Sequence, residues 1–199
     1  MTEPQVLLAS ASPRRSELLR QVGITHAVRP VDIDESVHPG EAPSAYVLRL
    51  AEAKAATLWR TLEPAQRRPV LAADTTVALE GEIFGKPGSL GEARAMLGRL
   101  SGRAHEVHTA IAVLHAGGAA ARLSSSTVTF RELTPGEIDW YWHTGEPADK
   151  AGGYAVQGRA AAFISHIAGS YSGIMGLPLF ETWELLAPVL GLSPGGSRA

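Results

Sequence analysis

Five short segments set charged or hydroxyl groups directly beside apolar runs: "SASPRR", "VDIDE", "AADTT", "FGKP" and "DKAGGYAVQG". The first holds Ser10, Ser12, Arg14 and Arg15 at a predicted helix start. Free backbone N–H groups, hydroxyls and guanidinium forks together suit a phosphate. Two arginines are out of place there electrostatically, because that end of a helix already carries partial positive charge. Either they are solvated surface charges, or an anion shares the spot with them. Asp74 follows the apolar run "VLAA". A carboxylate there is costly unless it is hydrogen-bonded, beside a cation, or at a cleft. It reads as a turn residue, a metal ligand or a general base.

Lys54 falls inside an apolar helix stripe, where a lysine either snorkels its amine into water or aims it into a cleft. "GEIFGKPGS" around Lys86 imitates a phosphate-binding P-loop and fails it, with Pro87 where a magnesium-binding Ser or Thr would stand. Its amine still sits on a rigid turn. Taken together, Arg14, Arg15, Lys54 and Lys86 are cations for phosphates, and Glu35 and Asp74 are hard oxygen ligands. That inventory can hold a nucleoside triphosphate with a divalent metal. The histidines are less promising. His105 and His108 are three apart on a predicted strand and face opposite sides, and no histidine pair has zinc-ligand spacing with a third partner.

Composition narrows the partners. The formal charge of −2 over 199 residues argues against a duplex nucleic-acid binder and makes any anion site local. Cysteine is absent, which excludes disulfides and thiolate metal sites. No apolar run reaches the roughly 18 residues of a membrane span, and the N-terminal residues lack a signal-peptide pattern, so a cytoplasmic home is the default expectation. The chain has fifteen arginines but only three lysines, Lys54, Lys86 and Lys150. Lysine supplies a compact point charge that arginine does not, so each of the three deserves inspection.

The elements that must position these groups follow from pattern. "QVLLAS" reads as a buried strand, then a helix with Ser12 as N-cap, Pro13 in its first turn and Gly23 at its stop. "HAVRPVDID" alternates like a second strand. "SAYVLRLAEAKAATLWRTL" places Val47, Leu50, Ala51, Ala55 and Leu58 at helical spacing. "PVLAADTTVALEG" reads as a strand, and Ser89 with Glu92 as a capping box. "HEVHTAIAVLHAGGAAARLSSSTVTFREL" reads as two long strands joined at Gly117-Gly118. Thr134, Pro135 and Glu137 open another helix, and a further strand and a C-terminal helix follow the Gly-rich loop. The order implies an α/β or α+β fold around one extended mixed sheet. It is expected to be a single domain over residues 1–199, with 193–199 frayed.

The segments "LLASASPRRSELLRQVG", "VDIDES", "YVLRLAEAKA", "VLAADTTVALEGEIFGKP", "LSGRAHEVHTAIAV", "DKAGGYAVQG" and "SYSGIMGLPLFET" resemble, in order and over nearly the whole chain, the Maf family of nucleoside triphosphate pyrophosphatases. The resemblance implies a curved mixed sheet with helices around it and a cleft between two lobes, as in the ITPase-like fold. It implies hydrolysis between the α and β phosphates with Mg2+ or Mn2+. It assigns Asp74, Lys54, Lys86 and Arg15 to catalysis. Ser10, Arg14, Arg15, Thr75 and Gln157 go to substrate binding, and Glu35 and Asp74 to the metal. "SPRR", "ADT" and "VQG" resemble the dTTP/UTP branch of the family. The branch acting on 7-methyl-GTP, a damaged-purine pyrophosphatase, and a nucleotide-binding regulator of septum formation are the alternatives, and a homodimer is left open.

Overall fold

A computed structural model describes residues 3–193. The expected frayed tail therefore falls, from residue 194 on, outside the described residues. The elements in chain order are β1 (Val6–Leu8), α1 (Pro13–Gln21), β2 (His26–Val28), α2 (Pro43–Thr61), β3 (Val70–Leu79) and β4 (Glu82–Phe84). They continue with α3 (Leu90–Leu100), β5 (Ala104–His115), β6 (Gly118–Phe130), α4 (Pro135–Trp142), β7 (Ile164–Ala168), α5 (Tyr171–Met175) and α6 (Leu179–Leu190). The fold is mixed α/β, with seven strands in one sheet ordered β2-β1-β3-β5-β6-β7 and β4 paired to β3 off that path. β2, β1 and β3 run parallel, and every other pair is antiparallel. No helix among the described residues is long and apolar enough to cross a membrane.

β3 organises the molecule. One edge pairs with β5 from Val70 to Ala78. The other edge meets two partners in turn: β1 pairs at Val70 and Leu71, and β4 pairs from Val77 to Leu79. β1 ends because the chain turns into α1 after Ser12. β4 begins because Glu80 and Gly81, with φ of 54° and 82°, form a two-residue hairpin turn that needs positive φ at both central positions. Between those partners the β3 edge lies open at Asp74–Thr76.

Alternation along β3 and β5 separates three cores. Ala72, Ala110 and Ala112 face α2 and pack with its Val47, Ala51, Ala55 and Leu58, and Leu50 of the same helix is buried too. Truncating one such leucine typically costs about 2–5 kcal/mol, so this stripe firmly fixes the rotation of α2 and the direction of Lys54. On the other face, Leu71, Ala73, Ile111 and Val113 pack with α1 and α6. Farther along the same face, Val77, Leu79 and Val107 pack with α3, α4 and Tyr154. A belt of hydroxyls divides those two cores. Thr109 donates to the Gly173 carbonyl at 2.7 Å, and its hydroxyl also lies within hydrogen-bond distance of Thr75 Oγ1 at 3.0 Å, where it accepts.

Three local expectations are corrected. "HAVRPVDID" pairs only over His26–Val28, because Pro30 has no N–H to give a ladder and the strand lies at the sheet edge. Ser12 occupies the N-cap of α1 but makes no capping bond; its own N–H instead donates to Ser10 Oγ at 3.2 Å. Ser89 caps α3, yet Glu92 reaches the Gly88 N–H at 2.7 Å, so the box is not reciprocal. The Thr134–Glu137 box on α4 is complete.

Candidate active site

The open stretch of the β3 edge lies in the wall of a cavity of about 590 Å³. Successive β3 residues point to opposite faces, and the split edge lets both faces contribute. Asp74 enters from the α2 side and Thr75 from the hydroxyl belt. Asp74 is 8 % exposed, and the cost of burying its charge is met by Lys54, whose Nζ donates to Oδ1 at 2.6 Å. The same Nζ lies 2.6 Å from Glu35 Oε1. One ammonium therefore joins two carboxylates that stand 39 residues apart. The Lys54 side chain is only 11 % exposed, which rules against snorkelling into water. Burial alone would raise the Glu35 carboxyl. The hydrogen bond and charge of Lys54, with Lys86 and Arg15 beyond it, overcome that and hold it below the usual range.

Glu35 reaches this position on an extended loop braced against α2. Tyr46 donates its hydroxyl to the Glu35 carbonyl at 3.0 Å. Arg49 grips Glu41 with a two-pronged bond at 2.6 and 2.7 Å and also donates to the Ser36 carbonyl. Tyr46 itself lines the cleft. Burial, and then the negative charges of Asp74 and Glu35, push its hydroxyl up to about 12, so it stays a neutral donor.

Arg15 resolves half of the electrostatic oddity at the start of α1. Its guanidinium leaves the helix end and donates to the Gly176 carbonyl at 2.8 Å, Ser10 Oγ at 3.0 Å and Thr75 Oγ1 at 3.2 Å. Gly176 has φ of 114°, a left-handed conformation that favours glycine. Burial lowers the Arg15 pKa; Asp74 opposes this, Arg14 adds to it and Glu35 opposes it. The group stays charged regardless. Arg14 makes one long bond, to the Met175 carbonyl at 3.4 Å.

The structure brings every sequence-selected residue into the same cleft: Ser10, Arg14, Arg15, Glu35, Lys54, Asp74, Thr75, Lys86 and Gln157 all line it. It adds Tyr46, Asp149, Lys150 and Tyr154. All three lysines of the chain thus share one cavity, and their scarcity was the available signal for Lys150. Five cationic side chains and three carboxylates line the cleft, a local positive excess in a chain of formal charge −2.

Among the described residues no three His, Cys, Asp or Glu side chains cluster as a metal cage. Glu35 and Asp74 do converge. A magnesium-type ion needs only one or two protein carboxylates when phosphate and water oxygens complete its shell. The pair fits that mode of binding.

A cationic cleft around a carboxylate pair thus lies at the split edge of a seven-stranded mixed α/β fold. The family model described as Maf-like protein matches residues 5–189, and the chain belongs to that family. A relative from Methylobacillus flagellatus is 54 % identical over 182 residues, covering 92 % of this chain and 91 % of its own. One from Nitrosomonas europaea is 50 % identical over 193 residues, covering 91 % and 92 %. One from Pseudoalteromonas atlantica is 47 % identical over 183 residues, covering 92 % and 95 %. Each of the three is named a dTTP/UTP pyrophosphatase.

Proposed function

We propose that this protein is a nucleoside triphosphate pyrophosphatase that hydrolyses dTTP and UTP to the monophosphate and pyrophosphate. The observation that carries the reading is the Glu35–Lys54–Asp74 trio, set at the open β3 edge with Arg14, Arg15 and Lys86 around the same cavity. The similarity to dTTP/UTP pyrophosphatases over nearly the whole chain supports the substrate.

In the reaction, a water oxygen attacks the α phosphorus in line with the bridge to the β phosphate. That bridging bond breaks, its electrons leave with pyrophosphate, and the proton of the water passes to Asp74. The Asp74 Oδ1 is occupied by Lys54, which orients the carboxylate so that its second oxygen can accept from the water. Lys86, Lys54 and Arg15 offset the charge that builds on the leaving pyrophosphate. Ser10 and Arg14 bind phosphate oxygens, and Thr75 holds Arg15 in place. Glu35 and Asp74 would hold a divalent cation such as Mg2+ or Mn2+, which supplies charge neutralisation at the phosphates.

Gln157 reads the base. Its amide offers one donor and one acceptor, which matches the N3–H and adjacent carbonyl shared by uracil and thymine. Cytosine reverses that pattern. With the amide held in one orientation and covered by the base, an unsatisfied group costs about 1–3 kcal/mol, so a preference of about tenfold or more for UTP over CTP follows. The test is a panel of dTTP, UTP, CTP, GTP and 7-methyl-GTP with Mg2+, compared by kcat/KM. Preference for dTTP and UTP is expected. A preference for 7-methyl-GTP or another purine would overturn the substrate assignment.

A further inference from the structure

The base-reading residue lies on a loop that needs an anchor. Gln157 is exposed within the Tyr154–Gly158 segment, and flexible glycine-flanked backbone alone would leave its amide free to turn over and accept cytosine. The chain is held on both sides of it. Two residues before, the Ala155 N–H donates to the Tyr141 hydroxyl at 3.2 Å. Two residues after, the Arg159 N–H donates to Glu146 Oε2 at 3.0 Å. The two acceptors are themselves joined, because the Tyr141 hydroxyl donates to Glu146 Oε1 at 2.6 Å.

Each component is firmly seated. Tyr141 is fully buried near the end of α4 and meets Phe163 edge to face at 5.3 Å. The Glu146 N–H donates to Thr144 Oγ1 at 3.2 Å, which pins the start of the connecting loop. Gly158 fits closely over the carboxylate: a Cβ there would lie 2.2 Å from Glu146 Oε1. No charged partner pairs with Glu146 among the described residues; its bonds are to a hydroxyl and to backbone N–H groups of the loop. A surface carboxylate would be expected to seek a cation or water. This one is spent on loop geometry.

We infer that Tyr141 and Glu146 form a clamp that closes on both ends of the Ala155–Arg159 segment and fixes how Gln157 presents its amide, making Glu146 a positioning residue for pyrimidine selection. The inference rests on the base-reading role proposed for Gln157. Glu146→Gln keeps the size but sets an amide NH2 or a lone oxygen where two acceptors are needed, so one donor of the set loses its partner. Tyr141→Phe strands the Ala155 N–H instead.

The experiment is a double-mutant cycle on the ratio of kcat/KM for UTP to that for CTP. It uses wild type, Glu146→Gln, Gln157→Ala and the double variant, and repeats the cycle with Tyr141→Phe. The clamp predicts a three- to tenfold fall in the ratio for each clamp variant, carried mainly by a higher KM for UTP with kcat little changed. It also predicts that the double variants are no less selective than Gln157→Ala alone, since the clamp acts through Gln157. Additive losses overturn the inference. So does a clamp variant that melts earlier but keeps the wild-type ratio, since that marks a merely structural role. If Glu146→Gln does not fold, the Tyr141→Phe cycle decides on the same terms. A wild type without preference for UTP, or a Gln157→Ala variant with an unchanged ratio, instead refutes the base-reading assignment, and the clamp falls with it.

Discussion

Replacing Lys54 by methionine removes the one charge that joins Asp74 and Glu35 while keeping a long apolar stem to fill its place on α2. Deleting one partner of a buried ion pair costs about 3–5 kcal/mol, whereas an exposed pair contributes about 0–1 kcal/mol. The two halves of this trio differ in that respect. The Asp74 side chain is 11 % exposed and that of Glu35 is 49 % exposed. Only the Asp74 half carries nearly buried weight, and the cleft admits water, so a loss of about 2–3 kcal/mol at pH 7.5 is expected. For a chain of this size that corresponds to a fall in Tm of roughly 4–12 °C.

The loss should depend on pH with a definite sign. In the wild type, Glu35 is held below its ordinary pKa. It therefore contributes stability above its unfolded value that is lost as the pH falls. In the variant, the two carboxylates lose the cation that joined them and keep only the more distant Lys86 and Arg15, so the pair holds a proton more readily and the folded state takes one up on acidification. The stability gap should close below about pH 5. Added Mg2+ should narrow it at pH 7.5 by standing in for the missing charge, while UTP turnover stays about 10²–10³-fold down. The assay is thermal unfolding from pH 4 to 8, with and without Mg2+. A Lys54→Met protein with wild-type Tm at pH 7.5, or a gap independent of pH, would refute the electrostatic account of the trio.

Two further outcomes follow from the same geometry. Asp74→Asn should fold and bind nucleotide but lose about 10²–10⁴-fold in kcat, because an amide cannot take the proton of the attacking water; near-normal turnover would make Asp74 structural. His105 sits buried beside the Tyr154 hydroxyl at 2.8 Å, and burial lowers its pKa from 6.5 to about 4. The unfolded chain therefore binds the extra proton first, and stability present above pH 6.5 is lost as the pH falls towards 4, by at most about 3 kcal/mol. His105→Gln should show a shallower decline in urea midpoint between pH 7 and 5 than the wild type, and parallel declines would contradict this.

Much of this site was legible in the sequence because it is made of residues whose types conflict with their local pattern. Asp74 after an apolar run, Lys54 in an apolar stripe and paired arginines at a helix start each announce a missing partner. The stripe of α2 followed from periodicity, and the hairpin of β5 and β6 from two strand-like runs joined at Gly117-Gly118. The partners were less legible, because contact between Glu35, Lys54 and Asp74 depends on β1 and β4 sharing one edge of β3, and edge sharing leaves no local signature. The brief pairing of β2 was hidden because residues 29–34 keep a strand-like alternation after the ladder has ended. The clamp on Gln157 was invisible for a similar reason: Tyr141 reads as a core aromatic and Glu146 as a loop charge until the chain folds them together. Tyr46, likewise, gives no sign in one dimension that its hydroxyl will hold the Glu35 backbone.

In the proposed reaction water attacks the α phosphorus and pyrophosphate departs. Hydrolysis of UTP in 18O-enriched water, with the products followed by 31P NMR and mass spectrometry, tests it directly. UMP and pyrophosphate are expected, with the label on the UMP phosphate and none in pyrophosphate. Label in pyrophosphate would place the attack on the β phosphorus, and UDP with labelled inorganic phosphate would place it on the γ phosphorus; either result would contradict the account.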